Sequence, residues 1–131
     1  MSATANRELI LHFYDEVWTR GNVELAREVF ADDFIRHTTR PTTAPGGGEG
    51  QALVAADFLR AFPDMALAVD LIVAEDDLVA ARWTITGTHT GPWGEVAPTG
   101  RAIVYSGATF FRLRDARVVE MWAHREDLDL G

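Results

Sequence analysis

Apolar residues recur at helical spacing in the first half of the chain and at strand spacing in the second. The segment RELILHFYDEVWTRG (7–21) carries apolar side chains three and four residues apart and ends near a glycine, which predicts an amphipathic helix. NVELAREVFADDF (22–34) opens on Asn22, a residue typical of helix N-caps, and predicts a second, shorter helix. QALVAADFLRAF (51–62) predicts a third helix that ends before Pro63.

β-branched and aromatic residues dominate from Met65 onward. They form four runs separated by turn-forming residues: MALAVDLIVAE (65–75), LVAARWTITGTH (78–89), RAIVYSGATFFRL (101–113) and RVVEMWAHRE (117–126). Helices followed by strands predict an α+β domain, in which a curved antiparallel meander packs against a layer of helices. A brief strand, DFIRHT (33–38), and a proline- and glycine-rich loop, TRPTTAPGGGEG (39–50), precede the third helix, and the loop is a candidate lid.

Composition narrows the class of protein. A chain of 131 residues, 47% hydrophobic, is expected to form one domain over 1–131 with a single core and room for one pocket. The net charge of −8, without a basic cluster, argues against nucleic acid or a membrane as partner. There is no cysteine, and neither a signal peptide nor a membrane-spanning run is recognisable, so a cytoplasmic location is expected.

Three of the four histidines differ in setting. His12 lies among polar residues opposite the apolar stripe of its helix, which predicts a surface position. His37 ends the brief strand beside the candidate lid, where it is either functional or bonded to backbone. His89 ends a strand between Gly87 and Gly91, glycines that allow a tight bend or a bulge.

The last strand has the densest set of ionisable groups. Alternation puts Glu120, Trp122, His124 and Glu126 on one face, and Val119, Met121, Ala123, Arg125 and Asp127 on the other. If the first face looks into a pocket, Glu126 is a candidate base, with His124 or His89 as partner. If this face is exposed to water, the last strand has a solvated edge without a chemical role.

A metal site is not expected. The histidines show no His-x-His or His-x-x-x-His spacing, so a metal would need His37, His89 and His124 brought together across the fold. The chain also lacks a P-loop, a GxSxG elbow and a GxGxxG fingerprint, and we therefore expect no cofactor. Acid–base chemistry is what the sequence supplies best.

The loop GTHTGPWGEVAPTGR (87–101) is much longer than a hairpin requires and places Trp93 at its tip. This segment resembles the SnoaL-like polyketide cyclase family, within the NTF2-like superfamily. The similarity extends over FYDEVWTRGNVELAREVFADDFIRH (13–37), FPDMALAVDLIVAEDDLVAARWTITGTHTG (62–91), VAPTGR (96–101) and VVEMWAHRED (118–127).

The resemblance implies a cone, in which a curved sheet and the N-terminal helices enclose a deep apolar pocket, usually in a homodimer. It places the loop after His89 at the pocket mouth and matches His37 to a histidine after the first strand. The family's acid/base aspartate, four residues after the tryptophan of the last strand, corresponds here to Glu126, with Asp127 directly after it.

The resulting hypothesis is a cofactor-independent cyclase that closes a ring by intramolecular aldol reaction in a carbonyl-rich, apolar, polyketide-like ligand. Glu126, or Asp127 if a bulge shifts the strand, would be the base. His89 and His37 would donate hydrogen bonds to the enolate and protonate the alkoxide. The expected pocket walls are Tyr14, Phe62, Trp93, Tyr105 and Trp122, together with His124.

Two alternatives remain on the same scaffold. One is different cofactor-free chemistry, namely hydroxylation, epoxide opening or isomerisation. The other is a dimeric binding module without turnover. Convergence of Glu126, His89 and His37 on one cavity would favour an enzyme, and divergence a binder. A homodimer is expected in either case, through the apolar convex side of the sheet, predicted to carry Val119, Met121, Ala123, Ala102, Val104, Ala108 and Phe110.

Overall fold

The computed structural model describes residues 2–38, 46–126, 128 and 130. Its α-helices are α1 (Ala3–Phe13), α2 (Ala26–Val29) and α3 (Gly47–Ala61). A π-helical turn (Tyr14–Thr19) continues α1, and a 3-10 turn (Val23–Leu25) leads into α2. The first and third predicted helices are confirmed, and α3 begins four residues earlier than predicted, within the glycine run.

The second predicted helix is confirmed over 23–29, but its C-terminal part is a strand. It ends at Val29, and strand β1 (Phe30–Thr38) begins at the next residue. Phe30 is fully buried, and its ring centroid lies 5.1 Å from Phe13 and 4.9 Å from Phe34. Phe30 also pairs with Val118 of the last strand. These contacts with distant residues override a local helical periodicity.

Within the described residues the strands form one curved sheet, in the order β1, β5, β4, β3, β2. The remaining strands are β2 (Ala66–Glu75), β3 (Leu78–Thr88), β4 (Ala102–Arg114) and β5 (Arg117–Arg125). β2 to β5 pair antiparallel, as predicted. β1, predicted as a brief strand over 33–38, is the fifth strand and lies parallel to β5, a pairing that the sequence did not predict.

The inner face of the sheet packs on the helices and forms the core. Alternate residues of β3 and β4 are buried there: Val79, Ala81, Trp83 and Ile85 on β3, and Ile103, Tyr105, Thr109, Phe111 and Leu113 on β4. The helical side contributes Ile10, Phe13, Tyr14, Val17, Trp18 and Phe58. The predicted α+β architecture is confirmed.

A β-bulge at Val119 determines which side of β5 faces the core. Leu113 pairs with Val118 and Arg112 with Glu120, so Val119 is the inserted residue. Val118 is fully buried, and strict alternation from it would turn Glu120 inward. The extra residue reverses the phase of the strand beyond it.

The predicted orientation of β5 is therefore wrong. Met121, Ala123 and Arg125 face the helices, and Trp122 lies on the outer side. The prediction for β4 is correct, because Val104 and Phe110 are exposed on the outer face, at 75% and 46%.

Candidate functional site

A cavity of about 110 Å³ lies between the inner face of the sheet and the helices. Most of its wall is apolar, with Trp18, Val54, Phe58, Trp83, Ile85 and Met121 among the lining side chains. An apolar chamber with a few polar groups is the composition typical of a small-molecule site.

Hydroxyl groups form one polar part of the cavity wall, contributed by Tyr14, Tyr105 and Thr109. Thr109 Oγ1 accepts a hydrogen bond of 3.0 Å from Trp83 Nε1. Burial raises the pKa of the Tyr14 phenol well above its ordinary value, and interaction with Thr109 acts in the opposite direction. The phenol therefore stays protonated at neutral pH and is available as a donor.

Arg36, Gln51 and Arg125 form the other polar part. Arg36 Nη2 donates a hydrogen bond of 2.7 Å to Oε1 of Gln51, a buried side chain. Burial lowers the pKa of Arg36, and the positive charge of Arg125 lowers it further. Sequence reasoning missed all three. The one signal in the sequence was strand alternation, which places Arg36 and Arg125 on the opposite faces from the neighbouring His37 and His124.

Glu126, the predicted base, does not belong to the described cavity lining. It is exposed, directly after β5, and its Oε1 accepts hydrogen bonds from the Ser106 backbone N (2.8 Å) and Oγ (3.4 Å). Its own backbone N donates to the Ser106 carbonyl. Glu126 thus fastens the end of β5 to β4.

His37, Trp122 and His124 lie on the outer face of the sheet rather than in the cavity. The His37 ring is stacked on Trp122, and its Nε2 lies 2.8 Å from Glu120 Oε2. The Arg112 guanidinium lies over the indole of Trp122, 5.8 Å from its ring centroid. His124 is exposed. The expectation that this face lines a pocket is corrected, because the bulge at Val119 reverses it.

His89 is fully buried and fixes the return of the long loop. Its Nδ1 accepts a hydrogen bond from the Thr99 backbone N (3.1 Å) and lies 2.9 Å from Thr99 Oγ1. Gly100 N donates to the His89 carbonyl. Because Nδ1 is an acceptor, the proton of the neutral ring is on Nε2, which has no hydrogen-bond partner among the described residues.

The start of the loop is docked on the end of α3. Thr90 N and Gly91 N both donate to the Ala61 carbonyl, and a Cβ at Gly91 would overlap the Arg60 carbonyl oxygen. Trp93 packs on Phe58, with ring centroids 4.7 Å apart. Since Phe58 lines the cavity, the loop supplies a second layer behind that wall.

The predicted site residues therefore separate into groups. Tyr14 and Tyr105 line the cavity, whereas Phe62 is buried behind it, in contact with the rings of Phe58, His89 and Trp93. Glu126, His37 and His89 do not converge on the cavity. Asp127 and residues 39–45 of the candidate lid lie outside the described residues. His12 is exposed, as predicted.

The described residues contain neither a metal-binding cluster nor a membrane-spanning helix. No three His, Asp or Glu side chains there lie close enough together to hold a metal ion. None of the described helices has both the length and the hydropathy to cross a bilayer.

Comparison with known proteins gives one family. The sequence matches the SnoaL-like polyketide cyclase family over residues 8–131. The structure is similar to IdmH, a proposed polyketide cyclase from Streptomyces antibioticus, at 33% identity and a TM-score of 0.76, over 92% of this chain and 91% of that one. No curated protein matches the chain in sequence.

Two further solved structures are similar. AclR, a proposed hydroxylase from Streptomyces galilaeus, is 28% identical with a TM-score of 0.83, over 95% of this chain and 77% of that one. A proposed SnoaL-like polyketide cyclase from Jannaschia sp. CCS1 is 27% identical with a TM-score of 0.82, over 95% and 87%. These similarities confirm the NTF2-like cone predicted from the sequence.

Proposed function

Because the chain belongs to the SnoaL-like polyketide cyclase family, we propose that it is a cofactor-independent acid/base enzyme that closes a ring by intramolecular aldol reaction. Its substrate is a carbonyl-rich, largely apolar molecule. The observation that carries the proposal is the apolar cavity bordered by hydroxyl, amide and guanidinium donors. Such a cavity can hold a flexible chain folded, so that the reacting carbons lie close together.

In this proposal, groups of the cavity wall replace the histidines as hydrogen-bond donors. The base removes a proton from a carbon between two carbonyls, and the enolate carbon forms a bond to a second carbonyl carbon. The resulting alkoxide takes the proton back from the protonated base. The Tyr14 phenol, protonated and buried in the wall, donates to the oxygen on which negative charge develops.

We assign the base to Asp127 rather than to Glu126. Met121, Ala123 and Arg125 line the cavity, so the odd-numbered residues at the end of β5 are the ones that face it. The carboxylate of Glu126 is instead bonded to Ser106. The bulge at Val119 is the kind of shift under which the sequence favoured Asp127.

Turnover of a panel of poly-β-carbonyl precursors tests this assignment. Asp127→Asn keeps the shape of the side chain and removes the basic oxygen, so kcat is expected to fall by about 100-fold or more. Glu126→Gln is the matched control, and its kcat is expected to stay close to that of the parent protein. The reverse result would return the base to Glu126, and full activity of both variants would contradict carboxylate catalysis at this strand end.

A binding module without turnover is the second candidate. The divergence of Glu126, His37 and His89 favours it, because these ionisable groups do not act on one ligand. Saturable binding of panel compounds without any product would establish it. Product mass separates aldol closure from hydroxylation: aldol closure leaves the mass unchanged or lowers it by one water, whereas the hydroxylation proposed for AclR adds oxygen.

We extend the proposal to a homodimer formed through the outer face of the sheet. Leu71, Val73, Val104 and Phe110 are large apolar residues exposed there, at 67%, 66%, 75% and 46%. Pairing two such faces about a two-fold axis removes this apolar surface from water.

A further inference from the structure

Two arginines reach the cavity from neighbouring strands. Arg36 is on β1 and Arg125 at the end of β5, and these strands are parallel, with Arg36 opposite Met121. Both residues line the cavity, Arg36 as a half-buried and Arg125 as an exposed side chain. Two positive charges are therefore brought to one side of an otherwise apolar chamber.

Neither cation is paired with an acid in the part of the chain that the structure describes. Among the residues that the structure describes, no carboxylate lies within ion-pair distance of Arg36 or Arg125. Acidic side chains are abundant in this chain of net charge −8, and several other arginines are paired, as Arg82 is with Asp70 at 2.8 Å. Among the described lining residues, this part of the wall therefore carries positive charge only.

Arg36 is held in a fixed position with donors unused. Its Nη2 is bonded to Gln51, while its buried Nε has no hydrogen-bond partner among the described residues. The guanidinium also lies 5.5 Å from the centroid of Phe34. A half-buried cation beside a second cation, with a donor unsatisfied, costs free energy unless an anion joins it. Such strain is common where a ligand supplies the missing charge.

We infer that Arg36 and Arg125 form a carboxylate-binding subsite, and that the natural ligand is a free acid with an apolar, ring-containing or ring-forming body. A planar guanidinium matches a carboxylate through paired N–H donors. The apolar body then lies against walls such as Phe58 and Trp83. This inference rests on the proposed function only in taking the cavity as the ligand site, and it requires no turnover.

Calorimetric titration with 2-naphthoate and 2-naphthamide tests the subsite. The two probes share shape and differ in charge. We expect the parent to bind the acid about tenfold more tightly or better, since hydrogen bonds to a charged group are worth about 1.4 kcal/mol or more, a factor of ten. Arg125→Met and Arg36→Met should each remove most of this preference and leave the affinity for the amide within about twofold, because only the charge-assisted bonds are lost.

Arg117→Met is the matched control, because Arg117 is an exposed arginine outside the cavity wall. It removes one positive charge, as the other two substitutions by Met do, and should leave both affinities unchanged. Arg36→Lys keeps the charge without the planar fork and should retain part of the preference. If Arg36→Met does not fold, Arg125→Met decides alone, since Arg125 is exposed and its replacement should not disturb the core.

Equal affinity of the parent for acid and amide would overturn the subsite. So would an equal effect of Arg117→Met and Arg125→Met. Failure of the parent to bind either probe at millimolar concentration would overturn both the subsite and the cavity as ligand site. Acid-selective binding that depends on Arg125, in a protein inactive on every precursor, would leave the subsite standing and contradict the proposed enzyme.

Discussion

The imidazole of His37 is stacked on the indole of Trp122, with ring centroids 5.2 Å apart and planes inclined by 13°. The pair joins β1 to β5 on the outer face of the sheet. Glu120 completes the group, because it lies 2.8 Å from His37 Nε2 and accepts a 3.3 Å hydrogen bond from Arg112 Nε. Trp122 is thus largely covered by polar neighbours on a face that the cavity does not reach.

Glu120 should make stability depend on pH. The hydrogen bond with His37, followed by that from Arg112, lowers the pKa of this carboxyl despite its partial desolvation. A carboxylate whose pKa is lower in the folded state stabilises the fold above its unfolded pKa of about 4.3, and this contribution is lost as pH falls through the folded value.

Urea denaturation at pH 7 and pH 3 measures this effect. The free energy of unfolding should fall more steeply with acid in the parent than in Glu120→Gln. Glu95→Gln, in the exposed loop, is the control and should follow the parent. Identical pH dependence of the parent and Glu120→Gln would show that the group on the outer face does not stabilise the carboxylate.

Gly91 should tolerate no side chain. A Cβ there would overlap the Arg60 carbonyl oxygen, and backbone of a helix end cannot move aside cheaply. Gly91→Ala is expected to lower the free energy of unfolding by about 2 kcal/mol or more, measured by chemical denaturation. Gly46→Ala, where the new Cβ meets open space, should cost less than about 1 kcal/mol. Equal losses would mean that the loop is not docked on α3 as described.

The sequence predicted the elements of the meander to within one or two residues, because each strand is bounded by turn residues and has strong β propensity. It could not predict β1 beside β5, since their pairing joins segments some 80 residues apart and leaves no local pattern. The early end of α2 could not be predicted for the same reason, because it depends on the packing of Phe30 against the distant Phe13.

The candidate site was predicted less well, for a specific physical reason. Alternation correctly divided β5 into two faces, but one inserted residue, Val119, decided which face is inside. A large aromatic at Trp122 suggested burial in a pocket, whereas His37 and Arg112 cover it on the outside. Arg36 and Arg125 were overlooked because an unpaired arginine is recognisable only when its neighbours are known.

Dimerisation through the outer face is tested by sedimentation equilibrium at micromolar concentration. The parent should have twice the monomer mass, and Val104→Asp should be a monomer, because a charge would be buried where two apolar faces meet. Leu53→Asp is the control, since Leu53 is an exposed apolar residue of α3 rather than of the sheet. A monomeric parent, or a dimer unaffected by Val104→Asp, would contradict this interface.

Removal of metal should not affect turnover. The chain has no cysteine, and its four histidines lack the spacings of common metal sites. Protein treated with a chelator and dialysed should convert a panel precursor at the parent rate. Loss of activity that added zinc or iron restores would contradict the cofactor-independent mechanism.

The central claim is that the chamber beneath the sheet is the ligand site, and filling it is the most direct test. Ala123→Leu adds three carbons to the wall of a cavity of about 110 Å³, whereas Ala108→Leu adds them on the outer face. Titration with 2-naphthoate should show affinity lowered by about tenfold or more in Ala123→Leu, as expected when ligand and side chain compete for one close-packed space, and unchanged in Ala108→Leu. The contradicting result is an Ala123→Leu protein that has the same melting temperature as the parent and binds 2-naphthoate with the same affinity. The ligand would then bind elsewhere.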